Sequence, residues 1–108
     1  MPSSEDPFAD SKNPDYINPL RDAIRRSHEC ASTHVDSVHV ELNYKGKPAW
    51  DGIVEVFDLH KHPEAKQAFA WGYINGDRMK YISILGIYPV KDAWDAVYAA
   101  IISGVEGP

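Results

Sequence analysis

From Val35 onward, apolar and polar residues alternate with a period of two, as in a β-strand with one buried face. The residues expected on the buried face are Val38, Val40, Leu42 and Tyr44. The sequence Lys45-Gly46-Lys47-Pro48 predicts a turn, after which the extended pattern resumes in AWDGIVEVFDL. The two segments therefore predict an antiparallel hairpin.

The second strand of this hairpin is apolar on both faces. Its apolar residues are Trp50, Val54 and Val56 on one face and Ile53, Phe57 and Leu59 on the other. A strand with two apolar faces is central in its sheet or covered on both sides. We therefore expect this strand either to have another strand on each flank or to be covered on both faces.

A second hairpin is predicted where QAFAWGYI and RMKYISILGIY flank Asn75-Gly76-Asp77, because Asn-Gly favours the positive φ angles of a tight turn. In its first strand, Phe69, Trp71 and Tyr73 share one face. The other face carries only the small residues Ala68, Ala70 and Gly72. Small residues at alternate positions predict the close approach of another element, and we assign that place to the last helix.

Asn18 and Pro19 predict the start of a helix, since Asn is a favoured N-cap and Pro is favoured at the first helical position. The apolar stripe that follows is narrow and consists of Leu20, Ala23, Ile24 and Ser27. We predict a helix over residues 19–30 that covers the sheet poorly.

A second helix is predicted over residues 92–103, with Asp92 as its cap and Gly104 after its last turn. Its apolar stripe is broad and consists of Trp94, Val97, Tyr98, Ile101 and Ile102. Such a stripe indicates a helix laid across a sheet.

The order of these elements predicts an α+β fold with a four-stranded antiparallel sheet of two hairpins and an N-terminal and a C-terminal helix packed on it. A sheet curled into a half-barrel is the main alternative. The single domain spans residues 17–108. Residues 1–16 are rich in proline and acidic groups, and this composition predicts a flexible tail.

Charge and composition exclude several partners. The net charge is −5, and the eleven Lys and Arg residues are scattered. A nucleic-acid-binding domain usually presents a basic patch, so we expect no nucleic-acid partner and no anionic membrane partner. Cys30 is the single cysteine, and the amino terminus lacks a secretory signal pattern. These features predict a soluble, cytoplasmic protein.

The stretch DLHKHPEAKQAFAWGY contains the strongest candidate for metal chemistry. If the strand continues to residue 62, then Asp58, His60 and His62 lie on one face. Two imidazoles at alternate positions with a nearby carboxylate can hold zinc or another divalent metal. No established zinc spacing is matched, and exposed histidines at a strand end are the simpler interpretation.

No catalytic residue is assigned. Asp51 and Glu55 are about 13 Å apart along an extended strand, too far for a close pair. His39 and Glu41 share a face about 7 Å apart, which a solvated sheet surface explains. The nucleophile, phosphate-loop and zinc-protease motifs are absent, so enzymatic activity is not favoured and no cofactor is expected.

The aromatic sheet residues lead to the favoured functional hypothesis. There are more apolar sheet positions than two short helices can cover, and self-association is a common solution for small domains. We therefore predict a non-catalytic homodimer that binds a protein partner or a small apolar ligand through its sheet. The predicted contact residues are Trp50, Phe57, Phe69, Trp71 and Tyr73. The alternative is a metal-binding protein or metal-dependent enzyme that uses the His60 and His62 region.

Overall fold

Two helices lie on opposite faces of a four-stranded antiparallel sheet in the computed structural model, which describes residues 14–103. The elements are α1 (Pro14–His28), β1 (Ala31–Tyr44), β2 (Lys47–His60), β3 (Gln67–Asn75), β4 (Arg78–Leu85) and α2 (Ala93–Ile102). The strand order is β1-β2-β3-β4, with β1 and β4 as open edges. The predicted α+β fold is confirmed, and the sheet does not close.

Two sequence-based expectations fall outside the described residues. Most of the predicted tail, residues 1–13, and the predicted cap at Gly104 belong to this part of the chain. At the other end of α2, the cap is as predicted, because the Asp92 side chain accepts a hydrogen bond from the Asp95 N–H.

The helix α1 begins at Pro14, so the predicted start at Asn18 and Pro19 is wrong. Pro14 takes the first helical position, where a missing N–H is harmless, and Pro19 lies inside the helix. The helix continues through Pro19 because Tyr16, Ile17 and Leu20 are buried against the sheet. Tertiary packing therefore outweighs the local signal for a helix start.

The strand β2 is central, as its two apolar faces predict. It pairs with β1 along nearly its whole length, but with β3 only from Glu55 to Asp58. Beyond this short ladder the two hairpins diverge. Trp50 and Trp71, one from each hairpin, meet edge to face with their ring centroids 5.4 Å apart.

Large sheet residues face small helix residues in the layer between the sheet and α2. The buried face of α2 carries Ala93, Ala96, Val97 and Ala100. These residues pack with Trp50, Val54, Val56, Phe69 and Trp71. The alanines let the helix approach the bulky aromatic face closely, so that large side chains of the sheet pack against small side chains of the helix.

The layer between the sheet and α1 has the opposite arrangement. Ala68 and Ala70 leave room for large helix side chains, and Tyr16, Leu20 and Ile24 fill it. The prediction that the last helix covers these small residues is therefore wrong, since α1 covers them. The prediction that α1 covers its face poorly is also wrong, because the side chains of Leu20 and Ile24 are fully buried.

A tyrosine anchors α1 where the hairpins diverge. The Tyr16 hydroxyl accepts a hydrogen bond of 3.1 Å from the buried Gly72 N–H, which lies beyond the end of the β2–β3 ladder. Burial raises the pKa of Tyr16 to about 12, because the phenolate would lose its hydration. The hydroxyl thus satisfies a backbone donor that β2 leaves unpaired.

Tyr16→Phe is expected to lower the free energy of unfolding by about 1–2 kcal/mol, because the Gly72 N–H would be left buried without an acceptor. Urea denaturation followed by circular dichroism measures the loss. Tyr81→Phe is the matched control, since Tyr81 packs in the same layer and its hydroxyl makes no hydrogen bond within residues 14–103. Equal losses in the two variants would contradict the anchoring role.

Candidate functional site

The aromatic residues predicted to contact a partner form the core. Trp50, Phe57, Phe69 and Trp71 expose between 0 % and 6 % of their surface, and Tyr73 is half-buried. The chain's own helices cover both faces of the sheet at these positions. The predicted partner surface on the sheet depended on apolar positions that the helices leave uncovered. In this conformation the helices cover those positions.

The three predicted metal ligands each have a separate polar partner. Asp58 accepts a hydrogen bond from the Gln67 amide at 3.1 Å, and His60 Nε2 lies 2.7 Å from the Thr33 hydroxyl. His62 Nδ1 accepts hydrogen bonds from the backbone N–H groups of two following residues, Glu64 and Ala65. Within residues 14–103, these three side chains do not assemble three ligand atoms around one point.

The backbone explains why the predicted metal set is not assembled. The strand β2 ends at His60, and Lys61 adopts a left-handed conformation with φ of 65°. This residue interrupts the alternation that would have placed His62 on the same face as His60. His62 instead caps the turn that leads into β3.

An open cleft lies beside this turn. Its volume is about 480 Å³, and it is lined by Asp58, Leu59, Lys66, Gln67, Phe69, Gly86 and Lys91. The cleft contains neither a histidine nor a hydroxyl or thiol nucleophile. Its titratable side chains are Asp58, Lys66 and Lys91.

A buried carboxylate is the most unusual polar group of the domain. Glu55 is fully buried in the middle of β2, and its Oε1 atom accepts hydrogen bonds from Ser37 Oγ at 2.5 Å and His34 Nε2 at 2.8 Å. A β-bulge between His34 and Asp36 places His34 and Ser37 on the same face of the sheet. The other carboxylate oxygen of Glu55, Oε2, is buried without a hydrogen-bond partner.

This cluster contains serine, histidine and glutamate but is not arranged for nucleophilic catalysis. Ser37 donates its hydroxyl proton to Glu55, and His34 contacts both residues through the same nitrogen, Nε2. A catalytic triad needs the acid and the serine on different ring nitrogens of the histidine. Burial raises the pKa of Glu55, and the hydrogen bonds from Ser37 and His34 offset part of that rise. The cluster is a structural feature of the core.

Within the described residues, one group of potential metal ligands is assembled, and it does not include any of the predicted ligands Asp58, His60 and His62. His39, Glu41 and Asp51 offer one ligand atom each, and these atoms lie within 4.8 Å of one another. His39 Nε2 is 2.6 Å from Asp51 Oδ1, and this hydrogen bond raises the pKa of His39. All three residues are exposed. His39 and Glu41 were visible as neighbours on one face, but Asp51 joins them only through the register of the hairpin.

The outer side of α2 is the other distinctive surface. Trp94, Tyr98 and Ile102 expose 44 %, 46 % and 59 % of their surface on a helix whose opposite side is buried. The only carboxylate in this helix, Asp95, is paired with Lys91 at 3.2 Å. A helix that is apolar on all sides is usually covered on all sides.

No helix within residues 14–103 has the length and apolar character needed to cross a bilayer. Comparisons with protein-family models, curated proteins and solved structures found no match to this chain.

Proposed function

We propose that this chain is a non-catalytic module that forms a homodimer through the outer side of α2. The observation that supports this proposal is the concentration of exposed apolar surface in one segment. Of the eight large hydrophobic residues that are exposed within the described part, five lie between residues 87 and 102. These five are Ile87, Tyr88, Trp94, Tyr98 and Ile102. Three of them, Trp94, Tyr98 and Ile102, lie in α2 at intervals of four residues and therefore form a row along one side of the helix. A contiguous exposed apolar surface is typical of an interaction site.

A second copy of the chain fits this surface better than a charged partner. Two copies that each carry a net charge of −5 repel one another, so a dimer requires an interface with little charge. The α2 surface meets this requirement, because Lys91 already neutralises Asp95. Homodimer interfaces are also more apolar than transient interfaces and are rich in aromatic residues. We therefore assign the proposed partner surface to the helix and not to the covered sheet.

The oligomeric state tests the proposal directly. Size-exclusion chromatography with light scattering is expected to show twice the 12.1 kDa mass of the chain at micromolar concentration. Ile102→Glu is expected to weaken the dimer at least about ten-fold, because a carboxylate would be buried in an apolar interface. Ile74→Glu is the matched control, since Ile74 is another exposed isoleucine and lies in β3.

Two results would overturn the proposal. One is a wild-type protein that remains monomeric over the accessible concentration range. The other is equal dissociation by Ile74→Glu and Ile102→Glu, which would show that any added charge has this effect. Circular dichroism confirms that both variants are folded before the masses are compared.

The same proposal includes a cytoplasmic location and no prosthetic group. The single cysteine, Cys30, is free and half-buried, which suits a reducing compartment. The buried Glu55 cluster lacks the geometry of a catalytic triad. The cysteine supports the proposed location, and the geometry of the cluster supports a module that is not a triad hydrolase.

A further inference from the structure

The end of the β1–β2 hairpin carries a constellation of side chains that differs from the rest of the sheet surface. The residues Glu41 and Asp51 lie directly opposite each other on neighbouring strands, and His39 is two positions before Glu41. All three point to the sheet face that α1 covers elsewhere, because they are an even number of positions from Ser37 or Glu55. At the end of the hairpin that face is exposed.

The charges of these side chains are not balanced by the protein. Like charges directly opposite each other on antiparallel strands destabilise the pair. Within the described part of the chain, neither carboxylate forms an ion pair with a lysine or an arginine, and the one ionic contact is from Asp51 to His39. With His39 neutral, the three side chains carry a net charge of −2, which a divalent cation would compensate.

We propose that His39, Glu41 and Asp51 form a binding site for a divalent transition-metal ion, zinc in particular. Imidazole nitrogen and carboxylate oxygen together are a ligand set that zinc accepts at 2.0–2.2 Å, about 3.4 Å from one another in tetrahedral geometry. The ligand atoms already lie within 4.8 Å of one another, so no pair has to close by more than about 1.4 Å to reach these distances. The pair of His39 Nε2 and Asp51 Oδ1, at 2.6 Å, has to open. In the metal-free protein, His39 Nε2 donates its proton to Asp51 Oδ1. To bind the ion, His39 carries its proton on Nδ1 instead, so that the lone pair of Nε2 is available to the metal.

Three protein ligands leave one tetrahedral position of the ion open. In a site this exposed, water takes that position, or a carboxylate or imidazole of another molecule. Magnesium and calcium are disfavoured because they prefer oxygen ligands alone, in larger number. The proposed site therefore prefers zinc, a borderline cation, over the hard cations magnesium and calcium.

This site is separate from the proposed dimer surface. The three ligands lie on the sheet face of α1, whereas α2 covers the opposite face. It also differs from the predicted set of Asp58, His60 and His62, which are not assembled. The proposal of a metal site and the proposal of a dimer can therefore be tested independently of each other.

Isothermal titration calorimetry of the full, tag-free chain with zinc chloride tests the proposal. The wild-type protein is expected to bind one zinc ion per chain and to bind magnesium too weakly to detect. His39→Ala is expected to weaken zinc binding by about ten-fold or more, and Glu41→Gln by several-fold, because each removes a ligand. His60→Ala is the matched control, since it removes an exposed histidine that lies outside the site and is expected to leave the affinity unchanged.

Three outcomes would overturn the proposal. Zinc affinity that is unchanged in His39→Ala would show that these residues do not bind the ion. A loss in His60→Ala equal to that in His39→Ala would indicate unspecific binding to histidines. Equal affinity for magnesium and zinc would indicate counterion attraction to two carboxylates. Circular dichroism of each variant excludes loss of folding as the cause.

Discussion

Trp71→Ala is expected to lower the free energy of unfolding by about 3–5 kcal/mol, because the side chain is removed from the closed layer between the sheet and α2. Trp71 exposes 1 % of its surface and supports Trp50 across the gap between the diverging hairpins. Denaturation in guanidinium chloride, followed by circular dichroism, measures the loss.

Trp94→Ala is the matched control for this experiment. Trp94 is 44 % exposed on the outer side of α2, so its loss in a dilute, monomeric sample is expected to change the unfolding free energy by well under about 1 kcal/mol. The loss of unfolding free energy in Trp71→Phe is expected to lie between the losses in Trp71→Ala and Trp94→Ala. The substitution Trp71→Phe keeps a ring in the core and removes an indole N–H that is buried without a partner. Equal losses in the two alanine variants would contradict the assignment of Trp71 to the core.

The sheet could be predicted from the sequence because its signals are local. The period of two in β1, the two apolar faces of β2 and the turn glycines Gly46 and Gly76 each fix one feature independently of the rest. Both glycines have the positive φ angles that a tight hairpin turn needs. The cap at Asp92 is equally local, since it requires only a side chain and the N–H three residues later.

The pairing of helices with sheet faces is not local and could not be predicted in this way. The small residues Ala68 and Ala70 predict a close neighbour, but they do not say which helix it is. The decisive property is complementarity of size. The large side chains of α1 fit the sheet face where β3 carries Ala68 and Ala70. The alanines of α2 fit the opposite face, which carries the aromatic residues. Both helix surfaces must be compared with both sheet faces before the choice can be made.

The metal-ligand group depends on an irregularity that the sequence does not reveal. The turn at Lys45 and Gly46 pairs Tyr44 with Lys47, and a regular ladder would continue to pair Glu41 with Trp50. A register shift between Leu42 and Asn43 places Asp51 opposite Glu41 instead. A shift of one residue exchanges the two faces of a strand, so the group exists only because of this shift.

A second irregularity creates the buried cluster. His34 and Ser37 are three residues apart, and strict alternation would place them on opposite faces of β1. The bulge between His34 and Asp36 adds one residue, so that both side chains reach Glu55. Sequence reasoning considered Glu55 only as a possible pair with Asp51 and missed His34 and Ser37 as its partners. The error is one of backbone geometry and not of residue chemistry.

His34→Phe is expected to lower the free energy of unfolding by about 2–3 kcal/mol at pH 8, because Glu55 loses one of its two hydrogen-bond donors. The phenylalanine ring keeps the contact that His34 makes with Phe57, whose ring centroid is 5.3 Å away. A loss of unfolding free energy in His34→Phe is thus assigned to the Glu55 carboxylate and not to lost packing. The double variant His34→Phe/Glu55→Leu is expected to recover most of the stability, since it removes the charge that has lost its partner.

The pH dependence distinguishes this explanation from a general loss of packing. Burial raises the pKa of Glu55 above the unfolded value of 4.5, so its protonated form favours folding and stability falls as the pH rises through the folded pKa. His34→Phe removes a donor that lowers this pKa, so the difference from the wild-type protein is expected to be small near pH 4 and large near pH 8. His39→Phe is the control, because that histidine pairs with an exposed aspartate and its loss changes stability little. A deficit in His34→Phe of the same size at both pH values would show that the carboxylate is not its cause.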